Sequence, residues 1–187
     1  VERINEIVIN PASELVLTQQ AIDEGIEKIE RDTDKLYDSF RKEFKTGEAA
    51  RLRKSTDRLV EQIQNGWGMQ ELESYLPYFT KVTYSILDYF DDDDLIIFDD
   101  ARNFKEELNV RESEFIDSMT RRLEKGYLLP GQLEMMIRPD VIMKELKRFN
   151  KLVLSILDSK ITDITVKKNF YIKAISITSY GGSFESL

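Results

Sequence analysis

Residues 75–100 read YLPYFTKVTYSILDYFDDDDLIIFDD, and three patterns in this stretch decide the fold class. Tyr75, Leu76, Pro77, Tyr78 and Phe79 form an aromatic knot around a proline. Residues 85–90, SILDYF, form a short apolar turn. Leu95, Ile96, Ile97 and Phe98 are four consecutive apolar residues that end on Asp99 and Asp100. An apolar run bounded by charge and closed by acids predicts a buried strand of a parallel sheet, because strands covered on both faces lose apolar–polar alternation. In such sheets ligands and catalytic acids sit at the carboxyl ends of the strands, where Asp99 and Asp100 fall.

Upstream of this stretch the pattern is helical. Thr18 is an expected helix N-cap, and Ile22, Ile26, Ile29, Leu36, Tyr37, Phe40 and Phe44 follow at spacings of three and four, one continuous face. Gly47 is the expected C-terminal cap. A second helix is predicted from about residue 48 to residue 64, with Ala49, Leu52, Thr56, Leu59, Val60 and Ile63 as its stripe. Two striped helices on a short joint make an αα-hairpin in which each stripe hides the other. Asn65, Gly66, Trp67 and Gly68 break it, and Pro77 is expected to end the short helical stretch that follows. Before the hairpin, residues 3–9 (RINEIVI) predict a strand stopped by Asn10 and Pro11. With no strand partner nearby, and with valine as the first residue, the chain is expected to be a piece of a longer protein.

Downstream, a long helix is expected from residue 99 to about residue 125. Ala101, Phe104, Leu108, Phe115, Met119 and Leu123 form its stripe, Asn109 and Val110 are a potential interruption, and Gly126 is its cap. Pro130 and Pro139 each fit the first turn of a short helix, the second presenting Ile142, Leu146 and Phe149. Residues 151–157 (KLVLSIL) predict another buried strand. Residues 163–167 (DITVK) and the alternating stretch 171–178 are further strand candidates. Helices alternating with short apolar strands define a helix-rich α/β module with an α-helical hairpin in front of it.

Composition narrows the chemistry. The 187 residues contain neither cysteine nor histidine, so thiolate metal sites, disulfides and the commonest general base are excluded. A reducing, cytoplasmic location fits. A net charge of −8 argues against non-specific nucleic-acid binding by the whole surface and leaves a local basic patch allowed. No apolar run is long enough to span a membrane.

Three constellations could carry function. Asp91, Asp92, Asp93 and Asp94 are either a Mg²⁺ site or a solvated turn, and the turn is favoured because consecutive acids alternate in direction. Arg41, Lys42, Lys45, Arg51, Arg53, Lys54 and Arg58 span the hairpin tip, the strongest local charge asymmetry in the chain. They fit an acidic protein surface or a phosphate backbone, against the bland alternative of a solvated helix face partly neutralised by Glu43, Glu48 and Asp57. Trp67, Tyr75, Tyr78 and Phe79 could stack bases, but large aromatics more often pack, here the hairpin onto the α/β body.

The order Glu73-x-Tyr75-Leu76-Pro77-Tyr78-Phe79, then Leu87-Asp88-Tyr89-Phe90, an acidic turn, an apolar strand and Asp99-Asp100 resembles the UvrB-homology module of bacterial transcription-repair coupling factor (Mfd). UvrB carries a similar leucine-aspartate-tyrosine-phenylalanine word; the leucine-proline-tyrosine-phenylalanine word points to Mfd. The resemblance implies that residues 1–79 are the trailing part of the UvrA-binding type of domain 2. It implies that residues 80–187 belong to a degenerate UvrB-like α/β domain (1b and part of 1a) with a partial RecA-like helicase sheet. It further implies a non-catalytic module that recruits UvrA to RNA polymerase stalled at DNA damage. ATP and Mg²⁺, and the contacts to RNA polymerase and DNA, would belong to other domains of the parent translocase. Asp99 and Asp100 stand where a helicase carries its Mg²⁺-handling acids, with Arg102 at a histidine position. No GxxxxGK phosphate loop occurs in the chain, so no catalytic, cofactor or metal residues are expected, and the two acids are expected to be a relic and a helix N-terminal acid pair. The family's principal UvrA-contacting residues lie upstream of Arg3. The competing expectations are the ATPase half of a UvrB-like helicase and a generic helical-hairpin interaction module.

Overall fold

The computed structural model describes residues 17–65, 72–156 and 164–173. The strand expected at residues 3–9, the break at Trp67, and the alternating stretch from residue 174 lie outside the described residues.

Helix α1 (Gln19–Lys42) and helix α2 (Thr46–Gln64) form the hairpin. Thr18 caps α1: its backbone is extended and its Oγ1 accepts a hydrogen bond from the Ala21 amide at 3.2 Å. The facing stripes bury Ile26, Ile29 and Phe40 against Ala49, Leu52, Leu59 and Ile63. Two threonines lie inside this seam without leaving a donor unpaired. Thr33 donates to the Ile29 carbonyl at 2.7 Å and Thr56 to the Leu52 carbonyl at 3.0 Å.

The joint differs from expectation. α1 stops at Lys42, Gly47 lies within the first turn of α2, and the left-handed residue is Phe44, at φ 60°. Lys45 N–H donates to the Phe40 carbonyl at 2.8 Å and Phe44 N–H to the Arg41 carbonyl at 3.2 Å, the double bond pattern that closes a helix when the residue after the cap is left-handed. Phe44 is therefore not part of the buried stripe: its side chain is 90% exposed. The early stop keeps Phe40 and Ala49, the last and first buried residues of the two helices, in one cluster.

A 3-10 turn (Glu73–Tyr75) and the single-turn helix α3 (Leu76–Phe79) lie against the hairpin. Pro77 opens this turn rather than ending one; its missing N–H falls where a helix has no acceptor to offer. Phe79 sits directly on Gly25 of α1, where an added Cβ would come within 2.2 Å of its ring. Tyr78 is the polar centre of the contact. Its hydroxyl donates to Asp32 at 3.0 Å and accepts from the Gly131 amide at 2.9 Å, while Lys28 donates to its carbonyl at 3.1 Å. Burial pushes the Tyr78 phenol up, well above the usual tyrosine range. Buried Gln132 completes the set, accepting from Leu129 N–H at 2.9 Å and donating to the Ser74 carbonyl at 3.0 Å.

After the 3-10 turn Ile86–Tyr89, closed by a reciprocal Ser85–Asp88 capping box, comes strand β1 (Leu95–Asp99). It pairs in parallel with β2 (Asn150–Leu154), from Leu95 opposite Asn150 to Asp99 opposite Leu154. The connection runs through helix α4 (Phe104–Glu124), a 3-10 turn (Pro130–Met135) and helix α5 (Pro139–Glu145). Pro130 and Pro139 both occupy first turns, and Gly126 caps α4 at φ 69°. Asn109 and Val110 do not interrupt α4. The fold is thus helix-rich α/β, with a helical hairpin preceding a small parallel sheet.

Three expectations about the sheet and the helix behind it are not met. The strands are not buried on both faces. Phe98 is buried with Ala101, Leu146, Phe149 and Ile164, whereas Leu95, Ile97, Leu152 and Leu154 stay largely exposed, because no described element covers the second face. Residues 164–167 form no strand; Ile164 instead plugs the second core. In addition, α4 begins at Phe104, not at residue 99, which leaves buried Ala101 outside it, and its stripe from Phe104 to Leu123 is only partly buried, with no fully buried residue. Among the described residues no helix is long and apolar enough to cross a membrane.

Candidate interaction surface

The hairpin tip gathers most of the basic residues the sequence singles out, but the structure divides them by task. Arg53 bridges the two helices: it pairs with Asp34 at 2.6 Å and stacks over Tyr37 at 4.9 Å. Arg51 turns toward the end of α4, donating to the Lys125 carbonyl and lying 4.5 Å over the Tyr127 ring. Lys45 pairs with Glu43 at 2.7 Å, and this hydrogen bond raises the Lys45 pKa and lowers that of Glu43. Arg58 faces the open groove that Tyr37, Arg53, Lys54 and Asp57 also line. Arg41, Lys42 and Lys54 are exposed, and their side chains have no ion-pair partner among the described residues. The seven cations are therefore a mixture of helix-to-helix struts and uncommitted charges. Sequence spacing alone could not separate the two groups, because the partners lie 19 and 74 residues away.

The acid pair is arranged differently from expectation. Asp99 is the last residue of β1 and Asp100 adopts φ 59°, so neither belongs to the N-terminus of α4, which starts four residues later. The Asp100 amide instead donates to the Leu154 carbonyl at 2.9 Å, which locks the end of β1 to the end of β2. Its carboxylate receives Nε of Arg102 at 2.5 Å and Nη2 of the same guanidinium. That fork holds the Asp100 carboxyl below the usual aspartate range. In the acidic turn, Asp94 accepts from the Asp91 amide at 2.8 Å and Asp92 pairs with Arg148 at 3.1 Å. Arg148 also donates to the Leu87 carbonyl at 2.5 Å and stacks on Phe149. Asp92 and Asp94 thus fasten the turn rather than converging on one point. Sequence reasoning missed Arg148 and Arg102 as the partners of these acids.

The aromatic knot packs: Tyr78 and Phe79 are buried under the hairpin and Tyr75 lies 6.3 Å from Tyr78. Tyr78 and Phe79 offer no open face for a base.

No family model matches the chain. Curated relatives do. The chain is 26% identical over 157 residues to UvrABC system protein B of Thermotoga neapolitana, covering 81% of this chain and 23% of that protein. It is 33% identical over 102 residues to UvrABC system protein B of Kosmotoga olearia, covering 52% of this chain and 15% of that one. It is 32% identical over 132 residues to the transcription-repair-coupling factor of Bacillus subtilis, covering 69% of this chain and 11% of that protein. The chain is thus similar to both proteins over part of their length. The chain spans less than a quarter of the length of each of these relatives.

Proposed function

We propose that this chain is the UvrB-like module of a transcription-repair coupling factor. It acts in nucleotide excision repair, where it helps recruit UvrA to RNA polymerase stalled at DNA damage. The observation that carries the proposal is the 32% identity to a transcription-repair-coupling factor over 69% of the chain, joined to the coupling-factor word Leu76-Pro77-Tyr78-Phe79. Within this proposal, residues 1–79 end the UvrA-binding type of domain 2 and residues 80–187 form a degenerate RecA-like half. The uncovered face and edges of the β1–β2 pair fit a sheet that continues in other parts of the parent protein, since two strands alone bury too little to be stable. RNA polymerase and DNA contacts, with ATP and Mg²⁺, belong to other domains.

The module acts as a scaffold and not as a motor. The residues present do not fit a nucleotide–magnesium site: no GxxxxGK cradle occurs in the sequence, and the Asp100 carboxylate is committed to Arg102. Purified UvrA should be retained by the immobilised longer module that includes the residues preceding this chain. No retention, with or without the distal domains of the parent protein, defeats the proposal. One observation favours an ATPase half instead, namely Asp99 and Asp100 at the carboxyl end of a parallel strand. Magnesium-dependent binding of a fluorescent ATP analogue to the 187-residue chain, abolished by Asp99→Asn, would establish that alternative.

A further inference from the structure

The tip of the hairpin is larger than the hairpin itself. The last turn of α4 abuts the first turn of α2: Gly126 lies so close to Glu48 that an added Cβ would stand 2.5 Å from its carbonyl oxygen, and Arg51 reaches the Lys125 carbonyl. Lys45 also feels the charge of Glu124. Tertiary structure therefore adds Arg121, Arg122 and Lys125 to the exposed Arg41, Lys42 and Lys54. Two large rings lie in the same region. Tyr127 is 55% exposed, with one face under the Arg51 guanidinium. Phe44 is 90% exposed and held at φ 60°. A phenylalanine at that backbone position carries strain, and with its side chain in solvent no packing among the described residues offsets it.

We propose that this composite surface binds single-stranded nucleic acid, with Phe44 and Tyr127 stacking on bases and Arg41, Lys42 and Lys54 contacting phosphates. Rings standing singly among cations fit this ligand, because each base needs one π face and the backbone needs only spaced positive charge. A stable protein interface needs about 800 Å² of contiguous contact with an apolar centre. The tip offers no such centre, since charged residues surround Phe44 on both sides in sequence. Glu43, Glu48 and Glu124 lie nearby; Glu43 is paired with Lys45, and the other two are outnumbered. The proposal stands whether or not the UvrA proposal holds.

Fluorescence anisotropy of the 187-residue chain with labelled twelve-residue oligo(dT), oligo(rU) and a duplex of equal length tests it. Both single strands should bind better than the duplex; a preference between them identifies DNA or RNA as the natural ligand. If three phosphates are neutralised, affinity should fall about twentyfold between 50 and 200 mM salt. Phe44→Ala and Tyr127→Ala should each weaken binding about five- to a hundredfold. Lys42→Glu combined with Lys54→Glu should nearly abolish it, with the thermal midpoint unchanged because these side chains are exposed. Absence of binding at 50 mM salt overturns the proposal. So does binding that survives all these substitutions, or the finding that polyglutamate binds the same residues while oligonucleotides do not.

Discussion

At the scale of single residues, the two left-handed closures of this chain make a direct comparison. Gly126 ends α4 at φ 69° and Phe44 ends α1 at φ 60°, with the same kind of backbone hydrogen bonds around each. Glycine adopts that conformation freely, whereas a side chain costs about 1–2 kcal/mol. Phe44→Gly should therefore stabilise the chain by about 1 kcal/mol, read as a rise in the urea midpoint with an unchanged slope. A fall would mean that the ring makes contacts in solution. Tyr78 is the second residue with a clear signature. Its folded pKa is raised by burial, so its contribution to stability is complete below the unfolded value of about 10 and is lost as pH climbs beyond it. Tyr78→Phe removes two hydrogen bonds and should cost about 1–3 kcal/mol at neutral pH. It should also flatten the decline of thermal midpoint between pH 9 and 11. A mutant with the wild-type alkaline slope would assign that slope to other groups.

At the scale of elements, glycines within helices show how little the local pattern determines. Gly25 in α1 and Gly47 in α2 both look like weak points of a helix. Gly47 has open space where a Cβ would stand, and Gly25 has the ring of Phe79. Gly47→Ala should stabilise by about 0.5–1 kcal/mol through helix propensity. Gly25→Ala should destabilise by about 1–3 kcal/mol, because the ring beneath it must move in a packed seam. Chemical denaturation of the two variants checks both signs, and equal effects would mean that α3 does not seat on α1 as described. The hairpin itself was legible from sequence: Thr18 as cap and the two stripes stand where the spacing of three and four put them. The joint was not, because nothing about a phenylalanine signals a left-handed turn. Pro77 was misplaced for a related reason, since a proline ends one element or opens the next and its local neighbours do not say which.

At the scale of the whole molecule, the β1–β2 pair is covered on one face only. Phe98→Ala should cost about 3–5 kcal/mol, as for a large buried aromatic. Ile97→Thr and Leu154→Thr should stay within about 0.5 kcal/mol, as surface changes do. Thermal melts of the 187-residue chain separate the two cases; large losses at Ile97 and Leu154 would show that something covers this face. The Asp100–Arg102 fork also belongs to this scale, because it sits where the two strands end together.

The sequence by itself determined the elements: periods of three to four made the helices, unbroken apolar runs made the parallel strands, and the order of words from Glu73 to Asp100 carried the relationship to UvrB and to the coupling factor. Those are local properties, fixed by neighbours within a few positions of each other. Only the tertiary structure decided which cations are struts and which are uncommitted, which strand face is covered, and that the end of α4 joins the hairpin tip. Each of these depends on groups tens of residues apart being brought within a few ångströms, and no spacing along the chain encodes that distance.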